Sequence, residues 1–297
     1  MLAIVIPFYK LFFFEETLQS LANQTDKRFK VYIGNDASPE NPNHLLEKYQ
    51  GQFEFIYHRF ESNLGGTSLV KQWERCIAKI ENEKWIMILG DDDYLETNVV
   101  AKWYQHYDAF YDKSNVIRFA SKSVNMKLNG IISDSFTHPL WEKAAASYFR
   151  RFKGLTRSTL SEYVFSKESF LNYGFHDFPL AWHSDDAAWL DFSDSRPIYT
   201  INDSNVFVRF SIISISGNNE TQNLKDLASV YFIKKSILNK FDLFKKNQQI
   251  ELALYYEVVI KKNRKLKYNE WLELFFIYAI NLDFLQFTKC FRRFMLR

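Results

Sequence analysis

The chain has 297 residues, 47% hydrophobic and 25% charged, with nine Gly and six Pro against 29 Phe and 17 Tyr. Such a composition supports a sizeable core and excludes a disordered, collagenous or linker-rich chain. The net charge of +3 is uneven: residues 218–297 hold 15 Lys+Arg against 8 Asp+Glu, a net of +7, leaving −4 for residues 1–217, and an acidic body with a basic tail argues against a nucleic-acid enzyme.

In chain order, short apolar or aromatic runs at Ala3 to Ile6, Phe29 to Ile33, Phe53 to Tyr57 and Trp85 to Leu89 predict four strands, spaced to leave one helix between each pair. Helices are predicted over Glu15 to Asn23, Pro42 to Tyr49, Thr67 to Ile80 and Val99 to Tyr111. Strands alternating with helices imply βαβ units and a mainly parallel sheet. Mixed architecture follows, with strands expected at Val116 to Ala120, Tyr163 to Phe165, Ile198 to Ile201 and Val206 to Phe210. From about Asn218 helix dominates, over Leu227 to Phe241, Gln248 to Lys261 and Tyr268 to the C-terminus. A boundary is expected at Gly217-Asn218-Asn219, between a domain of residues 1–217 and a helical extension of residues 218–297.

Cys76 and Cys290 stand too far apart in sequence for a disulfide framework or zinc site. The first apolar run is too short for a signal h-region and ends in Pro7, and no run reaches the length of a membrane span. A cytoplasmic protein is expected.

Asp91, Asp92 and Asp93 directly follow the apolar run Trp85 to Gly90, where a buried strand would deliver carboxylates to a sheet rim. Adjacent carboxylates repel unless a cation lies between them, and hard oxygen ligands suggest Mg²⁺ or Mn²⁺; a solvated acidic turn is the plainer alternative. The first βα turn lacks the G-x-G-x-x-G of a dinucleotide fold. Asp36, at the end of the second strand, suits either a turn or an acceptor of base or ribose hydrogen bonds. Ser184 or Asp185 could cap a helix over Ala187 to Leu190.

In order, the chain reads Val5-Ile6-Pro7-Phe8-Tyr9, Thr17 to Thr25, Val31 to Ser38, Glu61-Ser62-Asn63-Leu64-Gly65-Gly66, the triplet with Tyr94-Leu95, Val164 to Phe175, and Ser184-Asp185-Asp186. Over roughly residues 1–216 this series resembles the family 2 glycosyltransferases, GT-A-fold enzymes that use nucleotide-sugar donors. The resemblance implies a Rossmann-like α/β fold and inverting transfer from a nucleotide-diphosphate sugar to a glycan or lipid-linked acceptor in surface polysaccharide synthesis. It implies that Pro7 and Tyr9 wall the nucleotide pocket, that Asp36 contacts the base, uracil by preference, and that Asn63 and Gly65 join the donor site. Asp91 would lie near the ribose, and Asp93 or Asp92 would bind the metal within the triplet. Asp186 aligns with the general base, with Asp185 in reserve. Arg209 could reach the diphosphate, but the His expected after Phe210 is missing from Ser211, Ser214 and Ser216. Lys71 and Arg75 are further phosphate candidates or a solvated helix face, and Trp141 and Trp182 could stack on a sugar.

Rival readings are a metal-dependent phosphohydrolase or nucleotidyltransferase, and a non-catalytic sugar-nucleotide or glycan-binding protein. In the tail, Phe284, Phe287, Phe291 and Phe294 form one predicted stripe beside Lys289, Arg292, Arg293 and Arg297, suited to internal packing or to an anionic membrane.

Overall fold

The computed structural model describes residues 1–297 except 129, 212–216, 218, 219 and 297. Ser214, Ser216, Asn218, Asn219 and Arg297 therefore lie outside the described residues. The elements in order are β1 (Leu2–Phe8), α1 (Phe14–Ala22), β2 (Phe29–Asn35), α2 (Asn43–Tyr49), β3 (Glu54–Arg59), α3 (Leu69–Ile77), β4 (Trp85–Ile88), β5 (Tyr94–Leu95) and α4 (Val99–Phe110). Then come β6 (Val116–Asn125), β7 (Ile131–Ile132), β8 (Trp141–Glu142), α5 (Ala144–Phe152), β9 (Tyr163–Ser166), α6 (Lys167–Tyr173), α7 (Ser184–Phe192) and β10 (Ile198–Phe210). The remainder is helical: α8 (Gln222–Phe232), α9 (Lys246–Asn263), α10 (Tyr268–Ile280) and α11 (Phe284–Met295).

Two compact units emerge: Met1–Asp177 with Ser184–Asn218, and Phe178–His183 with Asn219–Arg297. In the first, the sheet runs β3-β2-β1-β4-β9-β6-β10-β5, with β7 on β6 and β8 on β10. The leading strands β3, β2, β1 and β4 are parallel, as the βαβ spacing requires; β9 enters antiparallel between β4 and β6. β1 is apolar on both faces because helices cover both. Leu2, Ile4, Ile6 and Phe8 join Phe14, Leu18, Leu45 and Trp103 of α1, α2 and α4 in one core. On the opposite face Phe165 packs on Phe170, Trp189 and Phe192 of α6 and α7, and Trp73 of α3 meets Phe175. The two strands expected at 198–201 and 206–210 are one strand, since a register shift between Ile201 and Asn205 is a bulge against β6.

In the second unit, Leu252, Tyr256 and Ile260 of α9 and Trp271, Leu274 and Tyr278 of α10 are buried. The helix expected over 227–241 is α8 followed by a π-turn at Ile233–Ile237 and a 3₁₀ turn at Leu238–Leu243. The single helix expected from Tyr268 onward is two. Leu282 takes a left-handed φ of 53°, and the Asp283 carboxylate accepts the Gln286 N–H at 2.9 Å, starting α11 afresh. The expected Phe stripe divides accordingly: Phe287 and Phe294 lie on Phe275, whereas Phe284 and Phe291 are exposed. Among the described residues no helix is long and apolar enough to cross a membrane.

Candidate active site

The parallel order β3-β2-β1-β4 brings the carboxyl ends of those strands to one rim, the place where open α/β sheets bind ligands. Register sets Pro7 beside Gly34 and Phe8 beside Asn35, while Leu89 N donates to Val5 O at 2.9 Å. The residues that follow β1, β2 and β4 are thereby neighbours: Tyr9, Asp36 and the aspartate triplet.

The triplet is tied down from several elements. Thr17 of α1 donates its hydroxyl to the carbonyl oxygens of Asp93 (2.7 Å) and Asp91 (3.2 Å). Asp91 Oδ2 accepts the backbone N–H groups of Tyr9 and Lys10, both at 2.8 Å. Asp93, 6% exposed, accepts Ser161 Oγ at 2.5 Å and Arg209 N at 2.9 Å. Gly90 has no room for a side chain, since a Cβ would stand 2.9 Å from Asp92 Oδ1 and 3.0 Å from Asp93 Oδ2. Asp92 differs: among the described residues its carboxylate accepts no hydrogen bond from another residue's side chain or backbone.

The triplet, expected to bind a metal through Asp93 or Asp92, is engaged unevenly. Among the described residues no group of three or more His, Cys, Asp or Glu side chains is placed to hold a metal, because Asp91 and Asp93 turn inward to satisfy N–H and O–H donors. The fit to a cation is nonetheless good through Asp92. Burial and the charge of Asp92 push Asp91 up to about 7 and Asp93 up to about 8, and burial raises Asp92 too. A cation would relieve that repulsion, and Mg²⁺-like ions are commonly held by one or two carboxylates plus substrate phosphates.

Arg209, expected as a residue that could reach the diphosphate, is engaged within the chain. Its guanidinium lies 4.4 Å from the Phe13 ring and 4.8 Å from the Tyr94 ring, pairs with Glu16, and donates to the Asp92 carbonyl at 2.5 Å. It holds the triplet loop through the Asp92 carbonyl. Asp36, 4% exposed, accepts Leu64 N (2.7 Å), Gly65 N (2.8 Å) and Arg75 Nη2. Its visible work is to fix the loop carrying Asn63 and Gly65. A Cβ at Gly65 would lie 2.5 Å from Asp36 Oδ2, so only glycine permits that approach. Asn63 closes the turn by accepting Gly66 N at 2.6 Å. Arg75 thus belongs to the rim through Asp36, and Lys71 is exposed. Tyr9 is 37% exposed and Pro7 half-buried.

Asp185 and Asp186 open α7. Asp186 pairs with Arg151 of α5 at 2.8 Å and keeps only 2% of its side chain exposed. Asp185 is half-buried; burial, then the charge of Asp186, push its carboxyl up to about 7. The segment from Arg151 to Tyr163 touches both acidic groups. Arg151 holds Asp186, Ser161 donates to Asp93 and accepts Gly90 N at 3.1 Å, and Tyr163 stacks on Trp189 of α7 at 4.2 Å. Ser161 and Arg151 carried no sequence signal, being a lone serine and the end of a helix that no local motif marks. Trp141 packs edge-on against Tyr199 at 4.7 Å. Within the second unit, His183 stacks on Phe232 at 4.7 Å and Lys225 lies 4.8 Å over the Trp182 ring.

Asp91, Asp93 and Asp185 keep protons in the folded chain that an unfolded chain, with carboxyls near 3.9, releases. Their contribution is complete below the unfolded value and is lost as pH rises through about 7 to 8. The ligand-free chain should therefore melt at a higher temperature at about pH 6 than at about pH 8.5; the reverse order in calorimetry would contradict the buried acidic rim.

A mixed, mainly parallel sheet covered by helices, with an acidic loop at the end of its fourth strand, defines a GT-A-type fold. Residues 3–160 match the family described as Glycosyl transferase family 2, and the chain belongs to that family. It is a sugar-transferring enzyme, which sets aside the phosphohydrolase, nucleotidyltransferase and non-catalytic readings. No curated protein sequence matches the chain. Among solved structures it is similar to S. aureus TarS 1–349 in complex with UDP-GlcNAc, with a TM-score of 0.64 and 16% identity over 94% of this chain and 80% of that one. It is also similar to S. aureus TarS, with a TM-score of 0.61 and 16% identity over 94% of this chain and 48% of that one, so it spans about half of that length. For TarS 1–349 in complex with UDP the TM-score is 0.56 and the identity 16%, over 99% and 91% of the two chains. At these identities the likeness concerns the fold.

Proposed function

We propose that the chain transfers a sugar, with inversion at the anomeric carbon, from a UDP-sugar to a hydroxyl of a saccharide or lipid-linked saccharide, in the assembly of a surface polysaccharide. The observation that carries this reading is the Arg151 to Tyr163 segment, which ties the triplet loop through Ser161 and Asp186 through Arg151. The UDP and UDP-GlcNAc complexes of TarS support a uridine donor. Residues 1–217 act as the catalytic domain and residues 218–297 as a helical extension.

Pro7 and Tyr9 wall the nucleotide, and Asp36 with Asn63 and Gly65 shapes the base side of the rim. Asp91 faces the ribose side while fixing the Tyr9-Lys10 backbone. Asp92 is the carboxylate placed to hold a divalent cation, Mn²⁺ or Mg²⁺, and Asp93 holds the loop in shape. When bound, that cation supplies positive charge against the departing diphosphate. Arg209 keeps the loop in position through the Asp92 carbonyl and leaves the phosphates to other groups.

Asp186 removes the proton of the acceptor hydroxyl as the hydroxyl oxygen bonds to the anomeric carbon. The bond from that carbon to the diphosphate oxygen breaks, and the diphosphate departs with the electron pair. General-base help of this kind is worth about 10² to 10⁴ in rate.

Thermal denaturation with nucleoside diphosphates tests the donor. Saturating UDP with Mn²⁺ should raise the melting temperature by several degrees, since ligand at about 100 times its Kd adds about 2.7 kcal/mol. UDP alone should give a smaller rise, and other nucleoside diphosphates less. A larger rise with GDP or ADP than with UDP would reassign the base.

A further inference from the structure

In the second unit, α10 turns an unpartnered apolar face to solvent. Leu272, Phe276 and Ile280 recur at every fourth residue and are 66%, 67% and 56% exposed. On α11, Phe291, 51% exposed, lies 6.2 Å from Phe275, the residue next to Phe276 on α10. Packing cannot account for these residues, because the inward side of the same helices already carries Trp271, Leu274, Tyr278, Phe287 and Phe294. Contiguous exposed apolar surface of this kind marks an interaction site.

The charges around it say what covers it. Each acidic side chain of α9 to α11 that lies near is already engaged: Glu257 by Arg293 and Lys261, Glu270 by Arg264, Glu273 by Lys234 and Tyr256, and Asp283 by the Gln286 N–H. Lys262, Lys265, Lys267, Lys289 and Arg292 are exposed and make no ion pair among the described residues. A second copy of the chain would bring the same unneutralised positive charge to the contact, whereas an anionic surface would neutralise it.

We infer that the α10–α11 face of the second unit docks on an anionic lipid bilayer, with Leu272, Phe276, Ile280 and Phe291 entering the headgroup boundary and Lys289 and Arg292 meeting lipid phosphates. Amphipathic helices bind interfaces through buried apolar area together with attraction to anionic lipids. The inference is independent of the reaction and of the donor.

Flotation of the full chain with phosphatidylcholine vesicles, and with the same vesicles containing phosphatidylglycerol, tests it. Binding should appear with phosphatidylglycerol, weaken at high salt, and fall at least tenfold in Phe276→Ser/Phe291→Ser, with an unchanged circular dichroism spectrum. Lys289→Glu/Arg292→Glu, which leaves the apolar face intact, should also lose most binding and guards against a misfolded first variant. The inference is overturned if the chain floats with neither vesicle at low salt. It is equally overturned if sedimentation shows a dimer that Phe276→Ser/Phe291→Ser dissociates, since a second copy would then cover the face.

Discussion

Asp92→Asn should abolish the Mn²⁺-dependent part of donor binding and lower kcat/KM by about 10² to 10³, the range typical of removing one group that stabilises transition-state charge. Asp92 is singled out because its two neighbours in the triplet are committed inward: Asp91 to the Tyr9 and Lys10 N–H groups, Asp93 to Ser161 and Arg209. The same substitution should leave the ligand-free melting temperature unchanged or raise it, because it removes a negative charge that raises the pKa of both neighbours. Asp93→Ala should behave oppositely. It strands the buried Arg209 N–H and the Ser161 hydroxyl, at a cost of about 1–3 kcal/mol for each unsatisfied group. Calorimetry separates the two variants, and titration of UDP with and without Mn²⁺ reads the first. Wild-type affinity of Asp92→Asn for UDP in the presence of Mn²⁺ would remove Asp92 from the cation site.

The second large effect is expected at the start of α7. Asp186→Asn should lower kcat by about 10² or more while leaving UDP affinity within a few-fold, since the general base acts on the acceptor and not on the donor. Arg151, 2.8 Å away, fixes the carboxylate that this substitution neutralises. Asp185→Asn should cost less than about tenfold. It should also remove an inflection near neutral pH from the rate profile, because Asp185 is the member of the pair pushed up to about 7, protonated below that pH and ionised above it. If Asp185→Asn produces the larger loss, the two residues exchange roles and the half-buried carboxylate takes the proton.

Much of the fold was legible because local signals agreed with one another. The runs at Ala3, Phe29, Phe53 and Trp85 became β1 to β4, since a strand covered by helices on both faces must be apolar throughout, and such a run is visible in sequence. The small elements were not. Strands β5, β7 and β8 are two residues long and exist through pairing with β10 or β6, which no local pattern announces. At the C-terminus the apolar period carried across Asn281 to Asp283, so the break there, set by one left-handed residue and an aspartate cap, was hidden.

The site divides along the same line. Sequence alone determined the chemistry at hand: an acidic triplet after a buried strand, an aspartate at the second strand's end and a second acidic pair far downstream, because residue identity and short-range order are local facts. Only the tertiary structure decided which carboxylates are engaged. Asp36 is held by Arg75 from 39 residues away, Asp93 by Ser161 from 68 and by Arg209 from 116. Hydrogen-bond geometry depends on distances across the folded chain, and those distances distinguish a carboxylate that braces a loop from one that does not.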